Sequence, residues 1–278
     1  MAAGPQNGMH MISDPFAAFK DRQRDMWASF APTATFTTPP AAHIVRFAHI
    51  APGDAVLDVG TGTGVVAITA ARAGARVNAL DLTPALLDGA REHARIAGFP
   101  EIDWVEGDAE RLPYPDASFD VVLSQFGHIF APRPEVAIAE MRRVLRPSGR
   151  IAFATWPPDK LVGKFFQFIG RNSPPLPPGV PPPVLWGDES TIRQRLATGF
   201  EEPAFERGVM TVPALSLPHY RMFMERSVGP MEKLVASLAG EPERLEAIRR
   251  EFDQICEPYF TDNLVSQEYL LTRAAAKP

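Results

Sequence analysis

One cysteine, Cys256, stands in 278 residues. A single thiol makes neither an internal disulfide nor a cysteine-built zinc site. Beside the Phe252/Ile255 stripe it reads as a buried, inert thiol. No stretch of 18 uncharged apolar residues exists, which excludes a membrane-spanning helix. The first 20 residues hold Pro/Gly breaks, Asp14 and no apolar segment, so they do not read as a secretory signal. A cytoplasmic chain is expected. An excess of basic charge is also missing, the net charge being −5. Without a broad basic field, nucleic acid is not an expected partner. No His/Asp/Glu cluster has metal-ligand spacing, so no metal is expected. Internal repeats are absent.

What is present is an ordinary globular composition, 45% hydrophobic and 22% charged. The length suits one α/β domain carrying an insertion. Proline is the outlier, with seven of the ten positions Pro174–Pro183. That run is neither helix nor central strand, and reads as a stiff connector. Its flanks, Gly170 and Gly187, are candidate hinges. The expected divisions are a disordered leader at 1–13, N-terminal helices forming a lid at 14–50, an α/β core at 51–156, a cap at 157–263 and a final strand and tail at 264–278.

Within the core, short apolar runs alternate with helical patterns. Strands are expected at Ala55–Val59, Arg76–Leu80, Ile102–Val105, Phe119–Leu123 and Ile151–Thr155. Helices are expected at Ala41–Ile50, opened by Thr38-Pro39-Pro40, then at Val65–Ala73, from Thr83 to Gly98, and at Arg133–Leu145, ended by Pro147-Ser148-Gly149. Strands apolar on both faces imply a doubly wound, mainly parallel sheet covered on both sides. A ligand then belongs at the carboxyl ends of its strands. After Trp156 the rhythm breaks. The spacing predicts helices near Leu161–Gly170 and Asp188–Ala197, a strand at Glu206–Val212, two amphipathic helices marked by Met231 and Ile248, and a last strand at Glu268–Arg273.

VLDVGTGTG, Val56–Gly64, is the most informative segment. Alternating glycines let the backbone turn tightly and approach a ligand, and the helix that follows offers free N–H groups. A tight turn without ligand would look the same. Gly62-x-Gly64-x-x-Ala67 with Asp81 also fits a dinucleotide fingerprint, which would make the chain an NAD-dependent oxidoreductase. Against that, Asp58 precedes the glycines, where it would repel a pyrophosphate and attract a cationic group. Asp108 closes the third strand, and no second βαβαβ half is present. A non-catalytic nucleotide-binding module remains a third reading.

The segment resembles motif I of the class I S-adenosylmethionine-dependent methyltransferases, and the similarity runs over about Phe36–Trp156. EGDAERLPYPDASFDVV, Glu106–Val122, and EMRRVLRPSGRI, Glu140–Ile151, resemble further family segments, with Ser148 in place of a glycine. The ubiquinone/menaquinone-biosynthesis enzymes are the most similar group. The resemblance implies a Rossmann-like sheet of seven strands, the last antiparallel, with an inserted, mainly helical cap. It implies S-adenosylmethionine as cofactor, S-adenosylhomocysteine as product and a small, apolar methyl acceptor as partner. It assigns the cofactor to Asp58, Gly60, Thr61, Gly62, Gly64, Asp81, Leu82, Asp108, Ala109 and Ser124. In this reading Asp81 holds the ribose hydroxyls, Leu82 and Asp108 meet the adenine, and Ser124, just past the fourth strand, faces the methionine amino group through its carbonyl. Asp81 as a helix-capping acid and Asp108 as a turn former are the plainer alternatives.

Methyl transfer rests largely on positioning, so no universal catalytic motif is expected. His128, after the fourth strand, is the candidate base where the acceptor must lose a proton; local packing is its alternative. His219 is a weaker candidate, and His43 and His49 read as structural. Trp27, Phe30, Phe36, Trp156, Phe165, Phe166 and Phe168 either pack the added helices or wall an apolar pocket, with Met210, Met222, Met224 and Met231 as adaptable lining. The sequence leaves a homodimer open.

Overall fold

A computed structural model describes residues 14–278. The leader expected at 1–13 lies outside the described residues. The order in the core is β1 (Ala55–Val59), α3 (Val65–Arg72), β2 (Arg76–Asp81), α4 (Pro84–Ala97), β3 (Asp103–Glu106), β4 (Phe119–Gln125), α5 (Pro134–Val144) and β5 (Leu145–Thr155), preceded by α1 (Ala17–Trp27) and α2 (Ala34–Phe47). α6 (Leu161–Asn172), α7 (Glu189–Leu196), β6 (Ala204–Pro213), α8 (Leu217–Ser227), α9 (Gly229–Ser237), α10 (Pro242–Cys256), β7 (Phe260–Thr261) and β8 (Leu264–Ala275) follow.

The sheet runs β3-β2-β1-β4-β5-β8-β6, with the two-residue β7 paired to β8 as an eighth strand. β1 to β5 pair in parallel, and β8 lies antiparallel between β5 and β6. Val121, Val122 and Leu123 are consecutive and fully buried, so both faces of the sheet are covered. Chain direction explains how. From β1 the chain moves outward to β2 and β3, and right-handed crossovers put α3 and α4 on one face. From β4 it moves the other way to β5, which puts α5 opposite. The reversal between β1 and β4 opens a crevice at their carboxyl ends.

Local chemistry sets the element ends. Thr83 is extended, Pro84 takes the first helical position of α4, and Gly98 ends it at a φ of +84°. Asp188 caps α7 by accepting from the Thr191 N–H. Two expectations are corrected. α2 begins at Ala34 and carries Pro39 and Pro40 inside it, rather than opening on them. The preceding turn, Ala31–Thr33, already supplies helical geometry, so the helix is under way before the prolines remove their donors. β5 begins at Leu145 rather than Ile151, because a register shift opposite Phe119 and Val121 absorbs Pro147–Gly149 without ending the pairing. Ser148 there has a φ of +63°, the region glycine adopts freely.

Beyond β5 the chain builds helices and also the sheet edge β6. α6, α8 and α9 pack into one group with α10 and reach α1 through α9. α8 has no counterpart in the sequence expectations, although Ser216 caps it and Tyr220 and Met224 form its buried stripe. Gly187 is no hinge. It is buried, and a Cβ there would run into the Trp156 carbonyl.

Candidate active site

The glycine loop leaves β1 with φ values of +69°, +56° and +84° at Gly60, Gly62 and Gly64. Gly60 is needed for closeness as well as for rotation. A Cβ on it would stand 2.8 Å from the Gly127 Cα, and one on Gly127 would stand 2.6 Å from the Gly60 carbonyl oxygen. The loops after β1 and β4 therefore touch backbone to backbone across the switch point. Gly64 serves packing instead, since a Cβ would meet the Trp104 ring at 2.6 Å.

Two carboxylates flank this loop. Asp58, on β1, is buried; one oxygen accepts from the Thr61 hydroxyl at 2.6 Å and the Ala67 N–H at 3.1 Å. Its Oδ1 is buried with no partner among the described residues. Burial pushes this carboxyl up to about 7, against the bonds from Thr61 and Ala67. Asp81 ends β2 and accepts from the Gly62 N–H at 2.7 Å and the Thr83 N–H at 2.8 Å. Burial raises it also, against those same bonds.

Asp108, after β3, is tied to α1. Lys20 donates to Asp14, Asp108 and Glu110 at 2.6 Å each, and Arg133 donates to Glu110 at 2.6 Å. These three acids lie close enough together to share a cation, and the Lys20 ammonium takes that place.

One cavity of about 240 Å³ joins these groups to an aromatic space. Asp58, Gly60, Thr61, Gly62, Asp81, Leu82, Asp108 and Ala109 border it; Gly64 and Ser124 do not. Ser124 lies inside β4, which runs on to Gln125, and its hydroxyl donates to the Val59 carbonyl at 2.6 Å. Trp27, Phe30, Phe36, Trp156, Phe165 and Phe166 border the far half, with Met210 and Met224. Phe168, Met222 and Met231 do not: Phe168 and Met231 are core, and Met222 is exposed. Sequence reasoning missed Lys20, Gly127, Gln125 and Phe126. Phe126 has a φ of +63° and stacks on Trp156 at 3.9 Å between ring centroids.

His128 borders the cavity but is buried, its ring held in side-chain packing. Its ring lies edge-on to Trp186 at 4.6 Å and against Phe153 at 4.8 Å, and its Nδ1 meets the Ser124 hydroxyl at 3.0 Å. Burial, aided by the Arg195 charge, pushes its pKa down to about 3. His219 accepts from the Leu215 N–H, away from the cavity. His43 bridges Tyr269 and Glu206, and His49 contacts Arg273. Cys256 is buried, and burial pushes its thiol up.

The fold and the paired-acid glycine loop define a methyltransferase. Residues 57–153 match the methyltransferase domain family. The chain is 37% identical over 255 residues to an uncharacterised protein of Mycobacterium tuberculosis, covering 90% of this chain and 93% of that one. It is 48% identical over 100 residues to a ubiquinone/menaquinone biosynthesis C-methyltransferase of Methylobacterium nodulans, covering 34% of this chain and 39% of that one. Among solved structures, the YcgJ protein of Bacillus subtilis matches with a TM-score of 0.59 at 18% identity, over 86% of this chain and 98% of that one. The chain belongs to the class I S-adenosylmethionine-dependent methyltransferases, in one family with the mycobacterial protein and with a core like that of the ubiquinone/menaquinone-biosynthesis enzymes. This membership displaces the dinucleotide and non-catalytic readings. Among the described residues no helix is long and apolar enough to cross a membrane.

Proposed function

We propose that the protein transfers the methyl group of S-adenosylmethionine to a small, largely apolar acceptor. One observation carries this reading. A polar, two-acid crevice at the carboxyl ends of β1 and β2 opens directly into an aromatic space roofed by α1, α2 and the segment after β5. In this reading 14–50 is the lid, 157–263 the cap and 264–278 the closing strand.

The residues present fit the cofactor. Asp58 Oδ1 is a buried acceptor lacking a donor among the described residues, which a methionine ammonium would supply. The Gly60–Gly127 approach leaves backbone without side chains beside it. Asp81 would accept from the ribose hydroxyls, in charge-assisted bonds. Leu82, Asp108 and Ala109 would meet the adenine. When bound, the sulfonium supplies an electrophilic methyl group. The chain's own contribution is to orient the cofactor, exclude water and hold the acceptor in line. His128 carries no base role in this reading. A group with a pKa of about 3 takes no proton at neutral pH, and its ring faces Trp186 and Phe153.

Calorimetric titration with S-adenosylmethionine and with NADH, followed by mass-spectrometric detection of S-adenosylhomocysteine with apolar acceptors, tests the reading. Binding of the first alone and formation of the product are expected. Binding of NADH alone would overturn it.

A further inference from the structure

Among the described residues, the charged side chains bordering the cavity are Lys20, Asp58, Asp81 and Asp108, and all lie on the cofactor side. The aromatic half contains few polar groups, and most are already engaged. Thr33 donates to the Phe30 carbonyl and Thr37 to the Ala34 carbonyl. Gln267 donates to the Tyr220 hydroxyl at 2.8 Å.

Among the described residues two are not engaged, His128 Nε2 and Gln125 Oε1, and with the His128 ring 1% exposed the more accessible of them is Gln125. It ends β4 at the cavity wall and is 9% exposed. Its Nε2 donates to the Thr37 carbonyl of α2 at 2.9 Å. A backbone carbonyl only accepts, so the carboxamide must face it with nitrogen, which fixes where the oxygen lies. That Oε1 is buried without a donor among the described residues. Buried acceptors lacking any partner are rare in folded proteins. Neighbouring Phe126, with its left-handed backbone stacked on Trp156, holds the end of the strand in one conformation.

We propose that Gln125 is the acceptor-recognition residue: its Oε1 accepts a hydrogen bond from a hydroxyl or N–H group on an uncharged, otherwise apolar acceptor. This rests on the reading of the aromatic half as the acceptor site. The α2 anchor on Nε2 pre-orients the oxygen, so its single hydrogen bond selects among acceptors of similar shape. An apolar molecule without a donor leaves Oε1 unpaired, and a charged one is desolvated without a counter-ion.

The probes are 2-naphthol and naphthalene, which share a ring system and differ by one O–H group. Their binding to protein saturated with S-adenosylhomocysteine is measured by equilibrium dialysis. A hydroxyl entering an apolar pocket without a partner weakens binding, so any preference for 2-naphthol reports a hydrogen bond. About tenfold tighter binding of 2-naphthol is expected. In Gln125→Met the preference disappears, while affinity for naphthalene and for S-adenosylhomocysteine stays within about twofold. Equal or weaker binding of 2-naphthol by the native protein overturns the proposal, as does binding of neither probe or a preference that survives in Gln125→Met. If the variant does not fold, the native comparison decides alone. Failure to bind S-adenosylhomocysteine would instead defeat the cofactor reading.

Discussion

Replacing Lys20 by methionine removes the ammonium that ties α1 to the core while keeping the length of the aliphatic stem. The native cluster sets Lys20 and Arg133 against Asp14, Asp108 and Glu110. After the change, Arg133 alone faces three carboxylates. Deleting one partner of a fully buried pair costs about 3–5 kcal/mol. Here the Lys20 and Glu110 side chains are 8% and 0% exposed, but Asp14 and Asp108 keep 31% and 26%. The lower end, about 3 kcal/mol, is therefore expected. Since Lys20 and Asp14 belong to the N-terminal segment, the loss should appear first as detachment of α1 rather than global unfolding. Amide exchange across Ala17–Trp27 should accelerate on the order of 10²-fold, with the central strands little changed. Acidity supplies a second reading. Burial opposes it, but the bonds from Lys20 and the Phe16 N–H hold the Asp14 carboxyl below its ordinary range. A depressed folded-state pKa means stability that is present above the ordinary value near 3.8 and is lost as pH falls through the folded value. The variant should reverse this slope, because protonation then relieves repulsion among carboxylates. Unchanged α1 exchange at neutral pH would refute the latch.

Three further outcomes are expected. Asp81→Ala should weaken S-adenosylmethionine binding at least about tenfold, since bonds to a charged group contribute about 1.5–3 kcal/mol each; an unchanged Kd by calorimetry would remove Asp81 from the cofactor site. With its carboxyl at about 7, Asp58 should release a proton when an ammonium binds beside it near pH 6.5. Calorimetry of S-adenosylhomocysteine in buffers of different ionisation enthalpy measures that release, which Asp58→Asn should abolish; no release in the native protein would deny the pairing. His128 has a folded pKa of about 3 against an ordinary 6.5, so the unfolded chain takes up a proton where the folded one does not. Stability should therefore fall as pH drops from about 6.5 toward 3, and His128→Asn should flatten that slope in urea midpoints. Identical slopes would mean that the imidazole is not held neutral by burial.

What the sequence determined alone is whatever local chemistry encodes. The alternation of apolar strands with helical spacing specified a mainly parallel sheet, and Gly60, Gly62 and Asp81 marked the crevice because tight turns and strand-end acids are written in consecutive residues. Chain direction, with the right-handed crossover rule, then pointed to the edge of the sheet where the cavity opens. The tertiary structure decided what depends on distant partners. α2 starts before its prolines because an upstream turn launches it. β5 continues through Pro147–Gly149 because β4 accommodates a bulge. Lys20 reaches across 88 residues to Asp108, a pairing with no signature in either segment. The end of β4 shows the limit most plainly. In and out alternate along a strand, but Phe126 turns left-handed and a short helical turn begins at His128. Both residues border the cavity, but that reversal packs the His128 ring against Trp186 and leaves Gln125 the more exposed. No periodicity extends through a backbone reversal, so how far each of the two side chains is exposed to the cavity was settled by the fold.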